Sequence, residues 1–273
     1  MHLSSLRIYP VKSLRGVDAE TAVVEPWGLQ HDRRWMVVDG SGTTVTAREN
    51  HRMLMIAATW HGDSLALSAQ GHATLRVAEP VDTERVAVDL SRVGHAIAAT
   101  DEADTWMSTV LGQPVRLVYL DDPRRRTLSP EHGGHPSDRL SLADAGPVHL
   151  TTTASLEQLN RWLLEVAGDR GEPRPDPLTM IRFRPNVVID GCDEAFVEDG
   201  WKELRIGAVD FRFGEHCDRC VLPTINPETG RGGKEPTRTL AVHRQWDHQV
   251  YFGIRLIPVS PGRLHVGDAV TVP

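Results

Sequence analysis

Two thiols, an imidazole and a guanidinium fall within six consecutive residues, Glu215-His216-Cys217-Asp218-Arg219-Cys220, just ahead of Val221-Leu222-Pro223. The Cys-x-x-Cys spacing admits several chemistries. A thioredoxin-like pair needs its first cysteine at a helix N-terminus, where the helix dipole lowers the thiol pKa, and Pro223 and Asn226-Pro227 oppose a helix there. A structural zinc site would draw on Cys217, Cys220, His216 and the distant Cys192 for a tetrahedral sulfur and nitrogen shell. A single soft thiolate capping a heavier metal that is mostly held by an organic ligand needs only one of the cysteines. Two buried, inert thiols need no metal at all. An iron–sulfur cluster takes four cysteines and the chain has three, so electrons for any redox chemistry must come from elsewhere.

A second set of residues suits an anion. Tyr9-Pro10-Val11-Lys12-Ser13-Leu14-Arg15, Asp32-Arg33-Arg34-Trp35 and Arg182-Phe183-Arg184-Pro185-Asn186 each combine a cation with neutral donors. Lysine offers a point charge and arginine a two-pronged fork for phosphate oxygens. A lone arginine is more often a solvated or salt-bridged side chain, so each segment is informative only in combination.

The elements that must position these groups are mostly strands. Arg34–Asp39, Thr43–Arg48, Met55–Trp60, Ser64–Ser68 and Ala73–Val77 are β-rich runs separated by Gly/Asp punctuation such as Asp39-Gly40-Ser41-Gly42 and His61-Gly62-Asp63. Asp101 to Gly112 reads as a short helix with an acidic start and a glycine stop, and Ala154 to Val166 as a second helix capped by Thr152 or Thr153. A strand is expected over Pro114–Leu120. Asp121–Asp138, with its His132-Gly133-Gly134-His135, and the proline-rich Gly168–Thr179 read as loops. Beyond Ile181 the chain returns to strands at Arg182–Asp190, Glu203–Ile206, Val209–Phe213 and Val250–Val259, with a last pair around Gly262 and Gly267. No fixed-period repeat appears, which excludes solenoids and propellers.

The 273 residues are 40% hydrophobic and 25% charged, as in ordinary globular proteins, and allow one large or two ordinary domains. A net charge of −7 argues against general affinity for nucleic acid or anionic membranes. No apolar run is long enough to span a bilayer, and Met1-His2-Leu3-Ser4-Ser5 does not open a signal peptide, so a cytoplasmic protein is expected.

Taken in order, Tyr9-Pro10-Val11-Lys12-Ser13, Asp32-Arg33-Arg34-Trp35, Ser141-Leu142-Ala143-Asp144, Ala154-Ser155-Leu156-Glu157-Gln158-Leu159-Asn160, Arg182-Phe183-Arg184-Pro185-Asn186, Cys217-Asp218-Arg219-Cys220, Tyr251-Phe252-Gly253 and Val266-Gly267-Asp268 resemble the MOSC proteins. The similarity runs nearly end to end. It points to the branch with an N-terminal MOSC β domain, which includes the mitochondrial amidoxime reducing component. That resemblance implies a mainly β, α+β fold, with a β-rich domain over residues 1–98 and a barrel-like MOSC domain with a few helices over 99–273.

The resemblance also implies a molybdenum cofactor, held by a pterin dithiolene and by one protein thiolate, Cys220. It places Lys12, Ser13 and Arg33 at the cofactor phosphate, Arg184 and Asn186 near the pterin, and Asp144 beside the metal as a candidate for proton delivery. Proton delivery would require burial to raise the Asp144 pKa toward neutrality. Arg219 is expected to favour the ionised form of its neighbour Cys220. The implied activity is two-electron reduction of N-hydroxylated compounds, amidoximes or hydroxylamines. Some relatives carry a ferredoxin domain or a membrane anchor; neither is read in this sequence, so a separate ferredoxin-, flavin- or cytochrome-type electron donor is expected. The alternative for such a domain is a cysteine-persulfide sulfur carrier, which has no need of Lys12 and Arg33.

Overall fold

The computed structural model describes residues 1–81 and 83–273, and they form a mainly β, α+β fold with three α-helices among the described residues. Strict alternation builds the first core: in Ser64–Ser68 only Leu65 and Leu67 are buried, and the strand pairs antiparallel with Ala57–His61 and Leu75–Ala78. A five-stranded sheet runs in the order 85–87, 95–98, 116–119, 35–38, 44–45. Helix α1 (Asp101–Leu111) starts where the Thr100 side chain accepts a hydrogen bond from the Ala103 amide at 3.2 Å, and it stops at Gly112, whose φ of 71° a glycine adopts without strain. Its buried Ala103, Met107 and Leu111 pack with Trp35, Val37 and Leu117.

A larger sheet organises the second core, in the order 17–19, 2–8, 187–190, 148–152, 249–258, 209–218, 203–206, 270–271, with 245–246 folded onto 249–258. Leu3, Leu150, Ile189, Phe211 and Ile254 fill its interior. Strands Val148–Thr152 and Val187–Asp190 are parallel, which demands a crossover, and α2 (Thr153–Asp169) provides it. The Thr152 side chain accepts from the Ser155 amide at 3.1 Å, making Thr152 the N-cap.

The two halves share strands. His2–Ile8 pairs with Val187–Asp190, and Thr21–Glu25 pairs with Gly262–His265. Between these two strands the chain leaves the large sheet, and Val11 and Leu14 pack into the first core; after Cys220, Ile225 does the same. Lys12 and Cys220 therefore both sit where the chain passes from one core to the other.

Three elements differ from expectation. Met180–Phe183 forms a 3₁₀ turn and the following strand begins only at Val187. The strand from Val209 continues to Asp218 and so contains Cys217. Helix α3 (Thr237–His243) occupies a stretch for which no element was expected. No helix among the described residues is long and apolar enough to cross a membrane.

Candidate active site

Where the chain crosses between the cores there is an open pocket of about 320 Å³. Lys12, Ser13, Arg33, Asp144, Arg184, Asn186, Arg219 and Cys220 all line it, although they come from segments as much as 208 positions apart. Three of them, Ser13 (φ 69°), Arg33 (φ 49°) and Arg184 (φ 56°), hold left-handed backbone conformations that non-glycine residues rarely adopt. Such conformations persist only where surrounding contacts enforce them.

Those contacts are visible. The Tyr9 amide donates to Asp32 Oδ1 at 2.8 Å, and the Asn186 amide group donates to the same oxygen at 3.0 Å and to the Arg7 carbonyl at 3.1 Å. Asn186 Oδ1 in turn accepts from Arg33 Nη1 at 3.0 Å and from the His149 amide at 3.2 Å. Asn186 thus lines the pocket with its side chain fully engaged by protein, fixing Arg33. The Arg33 and Arg184 guanidinium carbons lie 4.7 and 4.3 Å from the centre of the Tyr9 ring. Burial lowers the Arg184 pKa to about 10, which leaves it a cation at neutral pH.

Asp144 does not meet the condition for proton delivery. Enclosure in the pocket works against its ionisation, but Lys12 and Arg48 outweigh that and hold the carboxyl well below the usual carboxylate range. Lys12 Nζ pairs with Oδ1 and also donates to the Leu142 carbonyl at 3.1 Å; Arg48 Nη2 reaches Oδ2 at 3.1 Å. Behind this wall Arg126, only 1% exposed, donates to the carbonyls of Ser141, of Ala143 at 2.7 Å and of Ser91 at 3.1 Å, and so fixes the loop that carries Asp144.

The three thiols have separate fates. Cys220 is exposed at the pocket and Cys217 is buried beside it, while Cys192 packs against the second core away from the pocket. Burial raises the Cys192 thiol to about 11. His216 packs edge-on against Phe213, Trp246 and Tyr251 and does not line the pocket. The four-ligand zinc set is therefore dispersed, and among the described residues no three His, Cys, Asp or Glu side chains gather to hold a metal ion.

Arg219 serves a different cysteine from the one expected. Its Nη1 lies 2.8 Å from Cys217 Sγ and its Nη2 donates to the Phe183 carbonyl at 2.9 Å. Burial alone would push the Cys217 thiol up, but Arg219, Arg255 and His149 outweigh it and bring it down to about 5. The cation against Cys220 is instead Arg48. Sequence reasoning also passed over His132, His149 and Arg255, all of which line the pocket. The wall thus carries Lys12 and five arginines against the carboxylates of Asp144 and Asp218, in a chain of net charge −7.

A MOSC N-terminal beta barrel domain matches residues 1–114 and a MOSC domain matches residues 137–271. Mitochondrial amidoxime-reducing component 1 of Homo sapiens is 35% identical over 98% of this chain and 82% of its own length. The same component of Xenopus laevis is 33% identical over 98% and 81%, and component 2 of Rattus norvegicus 32% identical over 98% and 82%. Among solved structures, the YUAD protein of Bacillus subtilis aligns with 98% of this chain and 92% of its own at 12% identity and a TM-score of 0.42.

Proposed function

Because the chain belongs to the MOSC family, in the branch that joins a MOSC N-terminal β-barrel domain to a MOSC domain, we propose that it reduces N-hydroxylated compounds, amidoximes or hydroxylamines, at a molybdenum cofactor, with electrons from a separate redox protein. One observation carries this reading: an exposed thiol, Cys220, opens into a cationic pocket in an otherwise acidic chain.

The residues present suit the group. A soft thiolate is the right donor for a pterin-held metal, and the pocket volume is within the range of small-ligand sites. Arg219 Nε is buried without a hydrogen-bond partner, a donor left over for a ligand. In this reading Cys220 binds the metal, Lys12, Ser13 and Arg33 hold the phosphate, and Arg184 flanks the pterin while Asn186 fixes Arg33. When bound, the cofactor supplies the two-electron chemistry that removes oxygen from nitrogen. Asp144, kept ionised by Lys12 and Arg48, accepts hydrogen bonds from the N–H and O–H groups that such substrates carry. A cysteine-persulfide carrier would leave the cationic wall without an occupant.

The test is metal analysis with activity. Purified protein is expected to hold molybdenum near one equivalent together with a pterin, and Cys220→Ala to lose both the metal and amidoxime reduction. A Cys220→Ala protein that keeps both overturns the assignment.

A further inference from the structure

Reduction of a hydroxylamine consumes two electrons and two protons: R–NH–OH + 2 e⁻ + 2 H⁺ gives R–NH₂ and H₂O. The N–O bond breaks, one proton completes the amine and the other joins the departing hydroxyl to make water. Both electrons come from the separate redox protein of the preceding reading, on which this inference rests. Asp144, locked as an anion, is not the source of that last proton.

We propose that His132, oriented by Glu215, is the group that protonates the departing oxygen. His132 lines the pocket. Its Nδ1 lies 3.0 Å from Glu215 Oε2, and among the described residues its Nε2 has no hydrogen-bond partner. A carboxylate on Nδ1 fixes the ring and the tautomer, leaving Nε2 to exchange a proton at the pocket. With the side chain 32% exposed, solvent restores the proton after each turnover.

The groups facing this pair are named by the fold. Arg255 binds both Glu215 and Asp218, the latter at 2.7 Å, and so holds the carboxylate in place. Arg212 donates to the Gly133 carbonyl at 2.9 Å and pairs with Asp138, seating the turn that ends in His132 against the strand 209–218. The Gly-Gly pair after His132 is required there, since a Cβ on Gly133 would strike the Gly214 carbonyl and one on Gly134 the Leu128 carbonyl. Of the other titratable groups lining the pocket, Lys12 is paired with Asp144, Asp218 with Arg255 and Cys217 with Arg219, His149 is buried with its Nε2 facing the Phe252 carbonyl at 3.4 Å, and Cys220 is the thiol the preceding reading gives to the metal. His132 alone combines solvent contact, an orienting carboxylate and a free ring nitrogen.

Molybdenum-loaded wild type, His132→Ala and Glu215→Gln, driven by a reduced viologen dye with an aromatic amidoxime, test this role. Positioned acid catalysis contributes about 10²-fold or more, so His132→Ala is expected to lose about 10²-fold in kcat, with KM and molybdenum content unchanged and with rescue by added imidazole. Glu215→Gln is expected to lose about tenfold in kcat. ¹⁵N spectra, which need no turnover, are expected to show the neutral His132 ring carrying its hydrogen on Nδ1 in the wild type and shifting toward Nε2 in Glu215→Gln. An unchanged kcat in both variants, or a neutral wild-type ring carrying its hydrogen on Nε2, overturns the role of His132 alone. A loaded wild type that reduces no N-hydroxylated substrate overturns the functional reading and this role with it.

Discussion

Arg219 Nη1 stands 2.8 Å from the sulfur of Cys217, three residues before the exposed thiol of Cys220. The two cysteines of the motif are thereby separated in kind. Cys217 is a buried anion that holds Arg219 and Arg255 in place beneath the pocket, and Cys220 stays open to whatever enters.

The Cys217 thiol drops from an ordinary value of 9.0 to about 5 in the folded chain. Its stabilising contribution is therefore complete above about pH 9, shrinks as pH falls, and is gone below about pH 5. Cys217→Ser is expected to be destabilised by ~2 kcal/mol near pH 7, with the gap closing toward pH 5 and widening toward pH 8.5. Urea unfolding at three pH values measures it, and a gap independent of pH would contradict a thiolate at this position.

Asp144 is expected to remain ionised to well below the usual carboxylate range. The stability it confers is present above about pH 4 and is lost as pH falls further. Asp144→Asn should accordingly be less stable than wild type at pH 7 by about 1–2 kcal/mol, with half-exposure of the carboxylate keeping the loss below that of a fully buried pair. The two proteins should converge under strong acid. Melting curves from pH 3 to 7 decide this.

Arg126 holds three backbone carbonyls from the interior. Arg126→Met leaves them without a donor and is expected to cost about 2–4 kcal/mol. Because the loop over Ser141–Asp144 loses its anchor, the variant should also bind inorganic phosphate more weakly than wild type in calorimetry. Equal phosphate affinity would confine Arg126 to stability.

Lys12→Ala and Arg33→Ala each remove a charge-assisted donor from the pocket. Metal-free protein carrying either change is expected to bind inorganic phosphate about tenfold more weakly, since 1.4 kcal/mol is a factor of ten. The same change in Lys202, which is not among the pocket-lining residues, should leave phosphate affinity untouched.

Local signals were readable wherever the physics is local. The acidic start at Asp101 and the stop at Gly112 frame α1, Thr152 caps α2, and the Leu65–Leu67 alternation marks a strand, because each depends on neighbours a few residues away. Helix α3 has no capping side chain at its N-cap, Pro236. The Thr239 amide in its first turn is taken instead by Glu235 Oε2 at 3.1 Å, and the helix is held by packing of Leu240 with Leu159 and Phe252. The facing of the motif was hidden for a related reason. Register shifts at Phe213/Glu215 and His216/Asp218 break the inward and outward alternation of the strand, so spacing alone does not say which cysteine is buried. The charge state of Asp144 depends on Lys12, 132 positions away, and on Arg48, 96 positions away, contacts that no window of sequence contains. Spacing also does not say that Lys12, Arg33, Asp144, Arg184 and Cys220 line one pocket, because the segments that carry them meet only through the long-range sheet pairings.

The pairing of His2–Ile8 with Val187–Asp190 has a consequence for assembly. The strand that anchors Lys12 has a near neighbour on one edge, Val17–Ala19, but gains the partner on its other edge only after most of the polypeptide has been made, and the strand at Thr21–Glu25, paired locally with Gly28–Leu29, gains its second partner only with Gly262–His265. A nascent chain paused midway, or either half expressed by itself, holds an incomplete cradle, so the capacity to retain an anion arrives late in synthesis and all at once.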